Sequence, residues 1–178
     1  MIAILLSSSS IYNCFYSILL SSIIVGVPCR YVSPLEGLSA FGRVIYEEGC
    51  EFGVKCPNEN LILPATQAAE RADATILVMG TNLTIEEENR DRDDLLLPGY
   101  QNQLITQVAI ASKGPVILVI MSAGGVDISS FLDPDPNLDY INKKIKGILW
   151  VGHPGQEGGR AIADVIFGKY NPGKQRPF

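Results

Sequence analysis

The chain has 178 residues, with 14 Lys and Arg against 19 Asp and Glu and a formal net charge of -5. This length suits one domain, and an apolar share of 47% indicates a folded chain rather than a disordered one. Because the chain is net negative and has no basic run, it lacks the positive surface that binds a phosphate backbone, and we expect no nucleic-acid partner.

The first 29 residues contain no Asp, Glu, Lys or Arg, so residues 1–29 are predicted to be an uncharged apolar leader ahead of a domain at residues 30–178. The leader is either signal-like or not native to the domain, because it lacks the basic start of a secretory signal. Its longest candidate span, Ile11 to Val25, has 15 residues, which is short of the roughly 20 that cross a bilayer. Apart from this leader, we expect no membrane partner.

Four cysteines and one histidine are the side chains that could bind a soft metal ion: Cys14, Cys29, Cys50, Cys56 and His153. No pair of cysteines has the two-residue spacing of a zinc ribbon, and the histidine is far from them along the chain. We therefore expect no metal and no cofactor. The loop between Cys50 and Cys56 is short enough to be closed by a disulfide bridge if the chain is exported, and two free thiols are the alternative.

From Arg43 onward, apolar runs of strand length alternate with stretches rich in helix formers. The predicted strands lack polar alternation, which is typical of strands covered on both faces. In chain order the predicted elements are a strand at Arg43 to Tyr46, a helix at Pro64 to Ala72, a strand at Asp73 to Gly80, a helix at Pro98 to Lys113, strands at Pro115 to Met121 and Ile145 to Val151, and a helix at Gln156 to Gly168. The link from Ser129 to Lys144 is predicted to be a surface loop with little helix. The alternation predicts an α/β sandwich with a mostly parallel sheet.

Ligands of such sheets bind at the carboxyl ends of the strands. Three segments follow predicted strand ends and are therefore the candidate site loops: Thr81 to Asp94, Ser122 to Asp127 and Gly152 to Gly159. We expect functional side chains to be concentrated in these loops.

The loop from Thr81 to Asp94 holds three consecutive glutamates, followed by two arginines that alternate with aspartates. A solvated charged loop is one interpretation. The other is an acid/base site, because an Asp-Arg pair can hold a neighbouring carboxylate in position. In an extended loop Glu86 and Glu88 would point the same way and Glu87 the opposite way, so either Glu86 or Glu88 could be the working acid. Asn82 begins a glycosylation sequon, at a place where a glycan would obstruct a site.

The loop from Gly152 to Gly159 has neither the dinucleotide fingerprint nor the P-loop lysine. We expect its glycines to serve close strand-to-helix packing, with His153 lining a cleft. No serine or cysteine nucleophile pattern accompanies this histidine, so a catalytic triad is not predicted. In the loop from Ser122, Asp127 is either a cleft residue or the N-cap of the segment that follows.

Taken together, these stretches resemble glycoside hydrolase family 3, specifically the C-terminal α/β sandwich domain of its plant β-D-xylosidase and α-L-arabinofuranosidase members. The resemblance covers roughly Gly26 to Gly173 and implies a three-layer sandwich with a mostly parallel sheet. The matching stretches occur in family order: Gly26 to Gly37, Ala72 to Gly80, Thr84 to Arg92, Leu95 to Gln101, Gly114 to Ile128 and Ile148 to Gly168.

The resemblance implies a retaining enzyme built from two domains. An aspartate nucleophile would come from an N-terminal β/α barrel and the acid/base glutamate from the sandwich, with the two carboxyls about 5 to 5.5 Å apart. The family pattern E-x-E-x-x-D-R falls on Glu86, Glu88, Asp91 and Arg92. It implies that Glu88 is the acid/base, with Glu86 as the alternative, and that Asp91 and Arg92 support it. His153 is expected to bind substrate.

The resemblance also implies a reaction, namely hydrolysis of terminal β-D-xylosyl or α-L-arabinofuranosyl residues of xylan and arabinoxylan, outside the cell or in the cell wall. We expect a fragment of such an enzyme, without the barrel and truncated at its C-terminus, that is inactive alone because it would lack one of the two carboxylates. Expected partners are a xylan-derived oligosaccharide or pentoside and a barrel domain in trans. The alternative is a non-catalytic carbohydrate-binding or interaction module.

Overall fold

Five strands form one sheet in the computed structural model, which describes residues 1–6, 30–132 and 143–173. The strands are β1 (Ile2–Leu6), β2 (Val44–Glu48), β3 (Ala74–Gly80), β4 (Val116–Met121) and β5 (Ile145–Trp150). Their order is β2-β1-β3-β4-β5, and every neighbouring pair is parallel. The four strands that the sequence predicts are confirmed as β2 to β5, with ends that shift by one or two residues.

The side chains of β3 show why its sequence is apolar without alternation. Leu77 and Met79 belong to the hydrophobic cluster on one face of the sheet. Ile76 and Val78 belong to the cluster on the other face. Because helices cover both faces, both sets of side chains are buried and the strand reads as a continuous apolar run.

The described residues form five α-helices: α1 (Pro34–Ser39), α2 (Ile62–Arg71), α3 (Gln101–Ala111), α4 (Ser129–Leu132) and α5 (Gly158–Ile166). Helices α2 and α3 contribute Ala65 and Leu104 to the cluster on one face. Helices α1 and α5 contribute Leu38 and Ile162 to the cluster on the other face. The predicted three-layer α/β sandwich is therefore confirmed.

Strand β1 occupies residues that are predicted from the sequence to belong to the leader. It pairs with β2 on one side and with residues 74–78 on the other, so it lies inside the sheet rather than ahead of the domain. An uncharged apolar run is typical both of a signal-like segment and of a strand inside a parallel sheet, so composition does not separate the two. The rest of the expected leader, residues 7–29, lies outside the described residues.

Local contacts fix the helix ends that composition places only roughly. The helix predicted from Pro98 begins at Gln101, because Gly99 has a φ of 57° and the Tyr100 N–H donates to the Cys56 carbonyl at 2.9 Å. Helix α2 begins two residues before Pro64, which therefore lies in its first turn. Helix α5 ends at Ile166, and the predicted glycine stop follows at Gly168, whose φ is 71°.

Helices α1 and α5 approach each other through two glycines. A Cβ atom on Gly37 would lie 2.1 Å from the carbonyl oxygen of Gly159. The Gly159 N–H donates to the Val32 carbonyl at 2.9 Å. The close packing expected of this glycine-rich loop is therefore helix against helix, not strand against helix.

Cys50 and Cys56 form a disulfide bridge, which settles the two alternatives that the sequence leaves open. Their side chains are only 1% and 0% exposed. The bridge closes a loop, residues 50–56, that contains a short 3-10 turn at Gly53–Lys55. Cys14 and Cys29 lie outside the described residues.

The expected surface loop between Ser129 and Lys144 begins with the short helix α4, and residues 133–142 lie outside the described part of the chain. Across the described ranges, no helix has both the length and the apolar character needed to cross a membrane.

Candidate active site

The strand order reverses direction between β1 and β3. From β1 the chain passes to β2 on one side, and it then crosses to β3, β4 and β5 on the other. A crevice forms at the carboxyl ends of the strands where the order of an open parallel sheet reverses, and ligands bind there. The loop from Thr81 to Asp94 follows β3 directly, so the topology places this loop at the crevice.

The first half of that loop is a turn organised by Asn82. The Asn82 Oδ1 accepts hydrogen bonds from the Thr84 backbone N–H at 2.9 Å and from the Thr84 hydroxyl at 2.7 Å. The backbone N–H groups of Ile85 and Glu86 donate to the Asn82 carbonyl at 2.9 and 3.1 Å. Asn82 is 8% exposed, so the sequon asparagine is used inside the fold as a turn residue.

The second half is a tight turn from Glu87 to Arg90. Each of these two residues donates its backbone N–H to the carbonyl of the other, at 3.0 and 2.9 Å, and Asn89 has a φ of 66°. The expectation of an extended loop, in which Glu86 and Glu88 share one side, is therefore wrong. The alternation rule fails here because the chain folds into two successive turns.

The three glutamates have different surroundings. Glu86 Oε2 accepts a hydrogen bond from Arg92 Nε at 2.8 Å. Glu87 forms an ion pair with Arg90 at 3.1 Å. Glu88 is exposed in the middle of the tight turn and makes no ion pair with another described residue. Of these three carboxylates, only that of Glu88 is not engaged by an arginine of the loop.

Arg92 connects the loop after β3 to the loop after β4. Its side chain is only 9% exposed, and its Nη2 donates to the Gly125 carbonyl at 2.7 Å while its Nε holds Glu86. A Cβ atom on Gly124 would lie 3.3 Å from both Arg92 Nη2 and Glu86 Oε1, so the second loop packs closely on this ion pair. Arg92 therefore fixes two of the three candidate loops against each other.

Asp91 does not join this cluster. It is exposed and makes no hydrogen bond or ion pair with another described residue. The structure thus brings together Glu86 and Arg92 of the predicted set and leaves Asp91 and Glu88 at the surface.

His153, in the loop after β5, lies within electrostatic reach of Glu86. Burial lowers the pKa of His153, and the negative charge of Glu86 opposes this shift. Its Nδ1 is buried and has no hydrogen-bond partner among the described residues, and the same is true of Arg92 Nη1. Buried polar atoms are nearly always paired in folded proteins, so two unpaired nitrogens around one carboxylate are typical of a site that receives a polar ligand.

Acidification is expected to destabilise the fold through His153, the single histidine of the chain. Its pKa is lower in the folded state than the ordinary value of about 6.5, so the unfolded chain takes up the proton first as the pH falls. This contribution to stability is complete above about pH 6.5 and is lost as the pH falls through the folded-state pKa. Urea unfolding at pH values from about 7.5 to about 5 should show this slope in the native chain, and His153→Gln should remove it. Equal slopes for the two proteins would contradict the prediction.

Asp127 binds the backbone of the segment that follows, close to the N-cap role that the sequence offers as one alternative, although it stands two residues before the first residue of α4. Its Oδ1 accepts hydrogen bonds from the Ser129 hydroxyl at 2.6 Å and from the Ser129 N–H at 2.9 Å, at the start of α4. These bonds lower the pKa of Asp127, which is exposed. Asp127 thus serves the local backbone rather than the crevice.

Ser122 and Trp150 link the ends of β4 and β5, and neither side chain was assigned a role from the sequence, although Ser122 begins one of the candidate loops. The indole Nε1 of Trp150 donates to the Ser122 hydroxyl at 3.0 Å, and that hydroxyl donates to the Gly124 carbonyl at 2.8 Å. Ser122 follows β4 and Trp150 is the last residue of β5, and this position at strand ends was the signal in the sequence that could have identified them.

Within the described ranges, no group of three or more His, Cys, Asp or Glu side chains is arranged to hold a metal ion.

A family model and individual relatives both place the sequence in the same family. Residues 15–178 match the family described as Glycosyl hydrolase family 3 C-terminal domain. The Beta-xylosidase/alpha-L-arabinofuranosidase 1 of Medicago sativa subsp. varia is 54% identical over 152 residues, and the Beta-D-xylosidase 1 of Arabidopsis thaliana is 49% identical over 152 residues. Each alignment covers 85% of this chain and 18% of the relative, so the chain spans less than a fifth of the length of these relatives.

Solved structures show the same likeness. A GH3 exo-beta-xylosidase in complex with a xylobiose aziridine activity-based probe has a TM-score of 0.77 and 30% sequence identity, over 94% of this chain and 20% of that one. A GH3 beta-glucosidase of Bifidobacterium adolescentis has a TM-score of 0.70 and 28% identity, over 94% of this chain and 23% of that one.

Proposed function

Because the chain belongs to glycosyl hydrolase family 3, as its C-terminal domain, we propose that it supplies the acid/base half of the active site of a retaining glycosidase. The proposed substrates are terminal β-D-xylosyl and α-L-arabinofuranosyl residues of xylan and arabinoxylan. The names of the Medicago and Arabidopsis relatives support this substrate class.

One observation carries the assignment of the acid. Glu88 is exposed and pairs with no arginine among the described residues, whereas Glu86 accepts from Arg92 and Glu87 pairs with Arg90. A general acid must hold a proton and present it to the leaving oxygen, and a carboxylate already held by a guanidinium is poorly suited to that task. We therefore assign the acid/base role to Glu88 rather than to Glu86.

The remaining site residues then have supporting roles. Arg92 and Glu86 hold the base of the loop through their ion pair. Asp91, next to Arg92, is assigned a supporting role at the exposed end of the same loop. His153 is proposed to bind a substrate hydroxyl, since its Nδ1 is buried and unpaired within the described residues.

The nucleophile is proposed to be an aspartate of a β/α barrel outside these 178 residues, linked to the sandwich or supplied in trans. Exposed apolar side chains lie in the loops after β2 and β3, at the crevice end of the sheet. Phe52 is 80% exposed, Leu95 58% and Leu96 51%. Exposed apolar side chains that cluster at one end of a domain mark a surface for another domain.

An extracellular or cell-wall location is proposed for the same protein. The bridge between Cys50 and Cys56 supports it, because such bridges form and persist in oxidising compartments. The substrate class points to the same place, since xylan is a polysaccharide of the cell wall.

A chimera tests the proposed function. The matching segment of the Medicago relative is replaced by the 152 aligned residues of this chain, and hydrolysis of 4-nitrophenyl β-D-xyloside is measured. We expect turnover by the chimera and none by the 178-residue chain alone. A folded chimera without turnover, beside an active Medicago enzyme, would refute the proposal, and turnover by the isolated chain would refute the requirement for a barrel.

A second candidate function is sugar binding by the sandwich alone, which Arg92 Nη1 and His153 Nδ1 favour because neither has a hydrogen-bond partner in the described part of the chain. Trp150 is the single tryptophan of the chain and is linked to the crevice through Ser122, so its fluorescence reports on ligands bound there. Titration of the isolated chain with xylose and with arabinose should change the emission in a saturable manner if this function is real. An unchanged spectrum, together with no heat in calorimetry, would exclude it.

A further inference from the structure

At its carboxyl end, strand β3 is bonded on the β1 side by a side chain. Among the residues that the structure describes, the last pair of β1 with β3 is Leu6 with Val78, whereas β4 stays paired with β3 as far as Gly80. Within the described ranges, no residue of β1 lies opposite Gly80, so its backbone groups on that side are bonded by other partners. A buried backbone N–H or carbonyl without a hydrogen-bond partner destabilises the folded state, so such groups are nearly always paired.

Gln101 supplies those partners with its side-chain amide. Its Oε1 accepts from the Gly80 N–H at 2.9 Å, and its Nε2 donates to the Gly80 carbonyl at 2.8 Å. A carboxamide presents one acceptor beside its donors, as a peptide group does. Gln101, which is 0% exposed, thus bonds both backbone groups of Gly80 as a residue of a neighbouring strand would.

The same amide also donates a hydrogen bond to the bridged loop, residues 50–56, which the Cys50–Cys56 disulfide closes. Gln101 Nε2 donates to the Val54 carbonyl at 2.7 Å, and Val54 lies between Cys50 and Cys56. The neighbouring Tyr100 N–H donates to the Cys56 carbonyl at 2.9 Å. The loop closed by the Cys50–Cys56 bridge therefore accepts one bond from Gln101 itself and one from its neighbour Tyr100.

Gly80 is the last residue of β3 before the loop from Thr81 to Asp94, which carries Glu88. Thr81, the next residue, still donates its backbone N–H to the Met121 carbonyl at 2.9 Å. We propose that Gln101 is a positioning residue that fixes the direction in which this loop leaves the sheet, with the bridged loop as its support. The role rests on the proposed function, because the side chain to be positioned is Glu88. A displacement of about 1 Å at a reacting group can cost about a hundredfold in rate.

Amide hydrogen exchange on the full 178-residue chain tests the local part of the proposal. Gln101→Met keeps the length of the side chain and removes its three hydrogen bonds. We expect exchange on the order of tenfold faster in residues 81–94, with no change in α5. Gln103→Met is the matched control on the same helix, since it removes one hydrogen bond to Glu59 (2.7 Å), and it should leave both regions unchanged.

Two results would overturn the proposal: unchanged exchange in residues 81–94, or an equal increase in residues 81–94 and in α5, which would mean that Gln101 only stabilises the whole domain. If Gln101→Met does not fold, measurement on the native chain decides the question. The side-chain amide protons of Gln101 should exchange at least about tenfold more slowly than those of Gln103, because all three Gln101 bonds are buried. Equal rates would refute the positioning role.

The chimera then connects the position of the loop to catalysis. Gln101→Met should lower kcat with little change in KM, whereas Gln103→Met should change neither. A chimera with no activity in its unmodified form would refute the proposed function while leaving the exchange result intact. An active chimera in which Gln101→Met keeps full kcat would refute the positioning role alone.

Discussion

Glu88→Gln in the chimera with the Medicago enzyme is expected to lower kcat by about 10²–10⁴-fold, the range by which a positioned general acid accelerates a reaction. Glutamine has nearly the same shape as glutamate but cannot donate a carboxylic proton to the leaving oxygen or activate water afterwards. Glu88 is exposed in the tight turn, so the substitution should leave the fold unchanged. Steady-state kinetics with 4-nitrophenyl β-D-xyloside and with xylobiose would measure the loss.

The matched control is Glu86→Gln, two residues away in the same loop. Glutamine at position 86 keeps an oxygen that can accept from Arg92 Nε, so we expect a much smaller loss of kcat. The loss for Glu88→Gln should also be smaller with 4-nitrophenyl β-D-xyloside than with xylobiose, because a good leaving group depends less on protonation. If Glu86→Gln shows the larger loss and the dependence on leaving group, Glu86 is the acid and the assignment to Glu88 is wrong.

The second large effect is expected on stability. Gly80→Ala should lower the free energy of unfolding by about 3 kcal/mol or more. Gly80 has a φ of 149°, which side-chain-bearing residues rarely adopt, and a Cβ atom there would lie 1.8 Å from the Met121 carbonyl oxygen. The chain can accommodate alanine only by separating the ends of β3 and β4, where the candidate loops begin.

Gly147→Ala is the control for this substitution. Gly147 lies in β5, and a Cβ atom there would meet nothing within 4 Å. We expect a change of no more than about 0.5 kcal/mol, because alanine at a strand position with open space adds no collision. Urea unfolding of both variants gives the comparison, and similar losses for the two would show that the end of β3 is not as constrained as the structure indicates.

Much of the fold could be predicted from the sequence because the inner strands carry the signal themselves. Strands β3 and β4 bury side chains on both faces, and the resulting apolar runs identify parallel strands covered by helices. Strand β1 could not be recognised in the same way, since an uncharged apolar run also describes a leader. Without β1 the reversal in strand order was not visible, and the sequence did not single out the crevice at β3 on topological grounds.

The candidate site was predicted as a set of residues but not as a set of contacts. The loop after β3 contains two arginines and several carboxylates, and composition does not show which pairs form. The pairs depend on the tight turn, in which Asn89 adopts a left-handed conformation that brings Arg90 back to Glu87 and leaves Arg92 for Glu86. Asparagine tolerates that conformation better than most residues, so the signal was present but weak.

The burial of the bridge between Cys50 and Cys56 imposes an order on biosynthesis. Thiol-disulfide exchange needs a thiolate to reach a sulfur atom, and the two cysteines are 1% and 0% exposed once the domain is folded. The bridge must therefore close while the chain is still open, and a reductant added later reaches it only through unfolding. A chain that completed folding in a reducing cytosol would hold two buried thiols that are oxidised only after local opening, so we expect the bridge to form most readily when the domain folds in an oxidising environment.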